Sequence, residues 1–487
     1  MAVVSSKKKK ELHIAPMLDV STPEFLNLFR ILSKRAILWT EMVVDETIMH
    51  TKHLDHHLAY SPELSPIVCQ LGGRDVSNCC FATKVVEKYG YDEVNLNIDC
   101  PSSRVSGERK FGAILMKDCE AAYSIVEGMS KTVENVPISI KCRVGIELED
   151  GEILDTFEHL VGFIGRVRER GCKKFYIHAR KCVIGGLTPA QNRIVPPLNY
   201  PRVYDLCNQF PDCEFVINGG IAGLASAKLI CEGSGEESAM RSFGNEIVEN
   251  EEMELNTTGS DKLVHSVPCA ICGQTNGGCT APPSTPPENL TGCMLGRACM
   301  ENPAMFADVD RYFYSEETNP CENRRQVLEK YCCYLEQTYP RRCCDNDDRK
   351  TGRLPAPRVE MFTTGGCLIC KEFYGEGDLI GNYESLNTSQ STKTQKEKIT
   401  SRAIGRSLKP VRGLFFGLYN GKQFRLECDR LNRDMKIRNC GPGYILRKIM
   451  KTMPSELLDE PFVKTEDLTE EDVPIHVAPV NCRGGCT

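Results

Sequence analysis

The amino-acid sequence predicts an α/β protein: a (β/α)8 TIM barrel followed by a C-terminal helical domain, with two insertions. Three observations carry that expectation. Short apolar runs of strand character alternate with amphipathic helical patterns from Leu12 to Gly296, which is how a parallel sheet with helical crossovers reads. Polar residues and glycines stand at the end of one such run after another, where a barrel collects its chemistry. From about Asn302 the alternation gives way to helical patterning alone. A doubly wound open sheet would share the alternation, but no Gly-x-Gly-x-x-Gly turn follows the first run, which weakens a dinucleotide-binding reading.

The elements follow in order. Leu12 to Met17 is the first predicted strand, closed by Pro16. Ser21-Thr22-Pro23-Glu24 opens a helix with a cap and a proline in the first turn, and Phe25, Leu28, Phe29 and Leu32 recur at helical spacing. Ile37 to Met42 is the second strand, and Ile67 to Leu71, ending in Gly72-Gly73, the third. Val76 to Tyr89 reads as a helix. Glu93 to Ile98, alternating polar and apolar, is the fourth strand; Pro101, which cannot serve a sheet ladder, ends it and leaves the Cys100 thiol at its lip. Ile138 to Arg143 is the fifth strand, Leu154 to Arg170 a long amphipathic helix ended by Gly171, and Lys174 to Ala179 the sixth strand. Glu214 to Asn218, closed by Gly219-Gly220, is the seventh, with the helix Ala222 to Cys231 behind it. An eighth strand, Gly292 to Gly296, follows only after an interruption.

The domain expectation is a basic N-terminal arm at 1–10, a barrel at 11–301, a helical domain at 302–454 and an acidic, unstructured tail at 455–487. The barrel is interrupted at about 233–290 and the helical domain at about 341–400 by segments rich in Gly, Ser, Asn, Glu and Pro or Thr, which are expected to be disordered. Arg324 to Thr338, Leu408 to Arg433 and Tyr444 to Thr452 carry the helical character of the second domain.

Composition sets outer limits. The hydrophobic content of 41% suffices for a large core, and the net charge of −6 does not mark a nucleic-acid binder as such. The acidic residues concentrate in an insertion and in the tail, so a local basic face stays open. No apolar run reaches the length of about 18 residues that a membrane span needs. The start lacks the apolar core of a secretory signal, so the 27 cysteines are expected to be mostly reduced thiols in the cytoplasm or a similar compartment, with an organelle or the nucleus left open.

The strand ends supply the chemistry. Pro16, Met17 and Leu18 follow the first strand, Gln70 ends the third, and Asn97 and Cys100 close the fourth. Lys141 lies on the fifth strand, His178 on the sixth and Asn218 on the seventh, and Gly296-Arg297 closes the eighth. Singly, Gln70 also reads as a satisfied buried amide, Lys141 as a solvated strand end and His178 as a hydrogen-bonded core residue. Together on one barrel face they make a site, and the roles suit a flavin. Gln70, Lys141 and His178 would face the pyrimidine edge, where negative charge appears on reduction. Asn218-Gly219-Gly220 and Gly296-Arg297 offer backbone N–H groups and a cation for a phosphate.

A family resemblance rests on segments that occur in order: APMLD at 15–19, TEMV at 40–43, CQLGGRD at 69–75, NIDCPS at 97–102, IKCRVG at 140–145, HARK at 178–181, GLTPAQNRIVPPLNY at 186–200, INGGI at 217–221 and MLGRA at 294–298. They resemble the motif series of the tRNA-dihydrouridine synthases, in their A-type branch, over about residues 11–232 and 291–312, and the resemblance persists more weakly at 408–430. It implies an FMN-dependent, NADPH-consuming reduction of uridine in the tRNA D-loop at positions 20 and 20a. Hydride would pass from the flavin to C6 of the uracil, and Cys100 would be the acid at C5. It further implies FMN contacts from Pro16, Met17, Leu18, Gln70, Lys141, His178, Asn218, Gly219, Gly220, Gly296 and Arg297. Asn97 would touch the target nucleotide, and Arg193, Lys422 and Arg425 would orient the tRNA. The protein is expected to act as a monomer, with tRNA as partner and no membrane.

Three departures stand out. The family has Gly where this chain has Asp99; a carboxylate there would raise the Cys100 thiol pKa if close in space. Val20-Ser21-Thr22 replaces Trp-Thr-Asp after the first motif, and Ala190 replaces a basic residue. Cys269/Cys272 and Cys367/Cys370 have zinc-knuckle spacing but lie in or near the inserts, and no metal is assigned. Two rivals stay open: a flavin barrel oxidoreductase acting on a small molecule, and a tRNA-binding relative without catalysis.

Overall fold

The computed structural model describes residues 9–102, 105–106, 110–233, 283, 285–339, 404–434 and 441–462. Eight parallel strands form the barrel: β1 (Glu11–Ile14), β2 (Leu38–Trp39), β3 (Ile67–Gly72), β4 (Glu93–Ile98), β5 (Ile138–Arg143), β6 (Lys174–His178), β7 (Glu214–Asn218) and β8 (Leu290–Leu295). Each pairs with its neighbour in chain order from β2 to β8, and β8 pairs with β1. Closure between β1 and β2 runs through two backbone bonds, Ile14 N to Ile37 O and Ile37 N to Leu12 O, each 2.9 Å. The (β/α)8 expectation is met.

Alternation along the strands decides what faces where. Leu12, Ile14, Cys69, Leu71, Val94, Leu96, Ile98, Ile140, Cys142, Phe175, Ile177, Phe215 and Ile217 point outward, into the main apolar core beneath the helices. Among the inward residues, Trp39, Val68, Tyr176, Val216 and Met294 form a small separate apolar cluster. The rest of the interior is polar. The described cysteines are free thiols and most are buried; Cys69, Cys142 and Cys293 on outward strand positions have no measurable exposure. They act as small core hydrophobes, a physical account for much of the high count.

The longer helices between strands are α1 (Pro23–Leu32), α2 (Val76–Lys88), α3 (Cys119–Thr132), α4 (Phe157–Glu169), α5 (Tyr200–Gln209) and α6 (Leu224–Glu232); the short helices Asp45–His50 and Asp55–Leu58 lie between β2 and β3, and the short α7 (Arg297–Glu301) follows β8. Thr22 caps α1 by accepting from Phe25 N, with Pro23 at the first helical position. Among the longer helices, α3 and α5 were not anticipated, nor were the short ones. The starts of α3 and α5 are nonetheless signalled by Asp118 and Asn199, whose side chains accept from Ala121 N and Arg202 N.

Beyond the barrel lie α8 (Arg324–Thr338), α9 (Gly421–Arg433), α10 (Pro442–Met450) and α11 (Ser455–Asp459). The stretch 408–433, expected to have helical character, has a 3-10 turn at Pro410–Gly413 before α9 begins. Helical structure is present past the point where the acidic tail was expected to begin: Leu458 of α11 is buried, and Arg325 of α8 pairs with Asp459. Both insertions' CxxC pairs, the stretch 341–400 and the chain after Phe462 lie outside the described residues.

The helical region is fastened to the barrel beside its mouth. Glu24 of α1 pairs with Arg406 at 3.1 Å and accepts from the Tyr339 hydroxyl. Lys409 Nζ donates to Asp19 O, in the loop after β1, at 2.6 Å. At Gly413 a Cβ would lie 2.6 Å from Glu301 O and 2.5 Å from Pro303 Cδ, so only glycine lets the chain come this close to the end of α7. Among the described residues no helix is long and apolar enough to cross a membrane.

Candidate active site

Parallel register brings the site together. Asn97 stands level with Lys141, Arg143 with His178, and His178 with Asn218. All are inward positions in the upper layers of the barrel. The loop after β4 then carries Asp99 and Cys100 across this ring.

Asn97 holds that loop. Its Oδ1 accepts from Asp99 N at 3.1 Å and from Cys100 N at 3.0 Å, while its Nδ2 donates to Gln70 Oε1 at 2.9 Å. The chain of amides continues downward: Gln70 Nε2 donates to Asn95 Oδ1, and Asn95 Nδ2 to Ser139 Oγ, which donates to Glu93 Oε1. Glu93 also meets Tyr176 and Lys174, and Lys174 reaches Glu11 and through it His13. The barrel interior is thus a continuous hydrogen-bonded column from the floor to Cys100. Each buried polar group on it has a partner, as burial requires.

The other side of the loop is held by Gly112. Cys100 O accepts from Ala113 N at 3.0 Å and from Ser106 Oγ at 2.9 Å. Gly112 has φ +74°, and a Cβ there would lie 2.7 Å from Cys100 O and 2.9 Å from Val105 Cγ1. Gly112→Ala should therefore cost stability by about 2 kcal/mol or more, read by denaturant unfolding; unchanged stability would show that the loop yields freely.

Asp99 lies at the centre of the charges. Its Oδ2 is 2.7 Å from Lys141 Nζ, and its Oδ1 is 2.6 Å from Arg143 Nε and 3.2 Å from His178 Nδ1. Burial alone would raise the Asp99 carboxyl, but Lys141, Arg143 and His178 outweigh it and hold the group well below the usual carboxylate range. His178 is pushed down to about 3 by burial and then by Arg143, so it is neutral at physiological pH, and its Nδ1–H donates to Asp99. Burial pushes the Cys100 thiol up, and Asp99 adds to the rise against Arg143 and Lys141. The thiol keeps its proton at neutral pH, a state suited to an acid.

The structure assembles Asn97, Cys100, Gln70, Lys141, His178 and Asn218 as one group. Gln70 and Asn97 are buried within the column, while Asn218 Nδ2 donates to Met294 O at 2.8 Å. Gly219 and Gly220 have φ +117° and +68°, and a Cβ on Gly219 would lie 2.9 Å from His178 Cδ2. Pro16 and Met17 are half-buried on the rim after β1, and Leu18 is exposed. The Ser21 hydroxyl, at the departure from the family pattern, bonds Met17 N and Ala15 O and shapes this rim. Gly296 lies near it, its added Cβ 3.7 Å from Ala15 Cβ.

Arg297 and Arg193 form a cationic pair beside the mouth, with Arg297 donating to Arg193 O at 3.4 Å. Burial and then the charges of Arg297 and Arg143 push Arg193 down. Arg180, buried in the HARK segment, and Asn192 tie the loop that carries Arg193: Arg180 donates to Pro196 O, and Asn192 Nδ2 to Val183 O. Lys422 and Arg425 sit on α9, away from the strand ends, and are exposed.

A flavin fits these donors. Lys141 has three N–H groups and gives one to Asp99; His178 gives Nδ1–H and keeps Nε2 beside the space that Gly219 leaves open. Sequence reasoning missed Arg143 as a site residue, although its place two residues after Lys141 puts it on the same strand face.

A dihydrouridine synthase (Dus) family model matches residues 13–247. The tRNA-dihydrouridine(20/20a) synthase of Vibrio cholerae serotype O1 is 32% identical over 327 residues, 67% of this chain and 80% of that one. The protein of the same name from Pasteurella multocida is 33% identical over 324 residues, 66% of this chain and 79% of its own. That from Yersinia pestis is 43% identical over 325 residues, covering 66% and 75%. Identity of this order, sustained over 80% of a relative's length and joined by a family model that matches residues 13–247, means that the chain belongs to the dihydrouridine synthase family.

Proposed function

We propose that this protein reduces uridine to 5,6-dihydrouridine in the tRNA D-loop, at positions 20 and 20a, with FMN as its bound redox group and NADPH as reductant. The observation that carries the reading is the Cys100 loop, anchored on Asn97 and with its Asp99 held by Lys141 and His178, at the mouth of a barrel of this family. FMN, when bound and loaded by NADPH, supplies the hydride for C6 of the uracil ring.

The rest falls to the chain's own residues. Cys100 delivers the proton to C5. Lys141, His178 and Gln70 hold the flavin's pyrimidine edge, with Pro16, Met17 and Leu18 along its rim. Asn218, Gly219, Gly220, Gly296 and Arg297 hold its phosphate. The uridine leaves its stack to reach this mouth, as chemistry on a base requires. Asn97 faces the target nucleotide, and Arg193, Lys422 and Arg425 meet the RNA backbone, contacts that position it and weaken with salt.

The deciding experiment maps dihydrouridine by position in tRNA from cells lacking this protein. Loss at 20 and 20a is the expected result; loss elsewhere would keep the reaction and change the site; no loss, in a cell without a redundant enzyme, would sink the reading. Lys141→Ala should weaken FMN binding at least about tenfold, read by flavin fluorescence titration; wild-type affinity would remove Lys141 from the flavin's partners. Asp99's hold on Lys141 and His178 favours a second reading, a tRNA-binding relative without turnover. Flavin that NADPH reduces but tRNA never reoxidises would identify it.

A further inference from the structure

Asp99 takes the place of a glycine in the segment that resembles the family's active-site motif, and its side chain is 17% exposed. Lys141 and Arg143 of β5 and His178 of β6 converge on it at 2.7, 2.6 and 3.2 Å. Lys141 and Arg143 bring two positive charges, neutral His178 brings none, and Asp99 cancels one. Two of these three donors are the groups that the flavin reading turns toward the pyrimidine edge.

We propose that Asp99 is a built-in counter-ion of the flavin site, which lowers the reduction potential of bound FMN and so favours hydride delivery to uracil over loading by NADPH. The inference rests on the flavin reading above. Hydride transfer from NADPH moves two electrons and one proton, so NADP+ leaves and one net negative charge remains on the bound group. A fixed carboxylate among the donors that answer that charge opposes its arrival and assists its departure. Little water reaches the carboxylate, so screening is weak. The return step restores the balance: hydride goes to C6, the Cys100 proton goes to C5, and the Cys100 thiolate takes a proton from water. Asp99 acts through Lys141 and His178 and is a positioning residue.

The test compares the midpoint potential of FMN bound to full-length Asp99→Asn protein with that of wild type, alongside the FMN dissociation constants of both. Asn keeps an acceptor oxygen for Lys141 and His178 and removes the charge. The expected result is an upward shift of about 30 mV or more, equivalent to a tenfold gain in preference for reduced over oxidised flavin in a two-electron couple. Asp99→Gly, which empties the position, reports the same shift should the Asn variant not fold. An unchanged or lowered potential in a variant that binds FMN overturns the proposal and leaves the flavin reading standing. Wild-type protein that takes up no FMN overturns both.

Discussion

Cys100→Ala should lose dihydrouridine formation by about a hundred- to ten-thousand-fold, the scale on which a positioned acid contributes, while FMN and tRNA binding stay close to wild type. The loop is the reason to expect such a clean separation. Cys100 is anchored by its backbone: its N–H donates to Asn97 Oδ1, and its C=O accepts from Ala113 N and Ser106 Oγ. None of these bonds uses the thiol, so alanine should leave the loop, and with it Asp99 and the donors around it, in place. The hydride donor would remain and the proton at C5 would be missing. Single-turnover reoxidation of reduced flavin by tRNA separates this loss from a binding defect. Unchanged turnover would remove Cys100 as the acid.

Acid should destabilise the full-length protein, measured without added cofactor, from near neutral pH and not only in the carboxylate range. His178 is the reason: burial and Arg143 push it down from 6.5 to about 3. The folded protein keeps it neutral where the unfolded chain takes up a proton. Below pH 6.5 the unfolded state therefore binds more protons, and stability falls as pH falls. At about 1.36 kcal/mol per tenfold in proton activity, the loss reaches on the order of 4 kcal/mol by pH 3. His13, also pushed down by burial, adds to it in the same direction. Asp99 contributes only lower: its stabilisation is complete above the unfolded carboxyl value of about 3.9 and is lost as pH falls through its depressed folded value. Glu41 and Asp45, both raised by burial, work in the opposite direction. The measurement is thus a difference: urea unfolding of wild type and His178→Gln between pH 7.5 and 4. The variant should show the flatter profile, and parallel profiles would contradict a neutral buried His178.

Some of this protein could be read directly from its residues. The limits of β4, β5 and β7 agree with those read from the sequence, as does the start of α1 at Thr22-Pro23. The strand-end residues Gln70, Asn97, Lys141, His178 and Asn218 were marked by being polar where a buried parallel strand is otherwise apolar. The helix α3 was legible in principle: Asp118 caps it, and Ala122, Tyr123, Ile125, Val126 and Met129 bury one face of it. The break before α9 was masked by continuous helical character across 408–433, and packing of Gly413 against Glu301 and Pro303 decided it instead.

The sequence by itself determined the barrel, its order of elements, the thiol at the end of β4 and the family. These are properties of short range: periodicity, caps and motifs need only neighbouring residues. Tertiary structure alone decided that Asp99 would face Lys141, Arg143 and His178, that Asn97 and Gln70 would join one column down to Glu93, and that Arg193 would lie beside Arg297. Those pairings depend on register across strands that close on each other, and charges distant along the chain meet only once the barrel has fixed it.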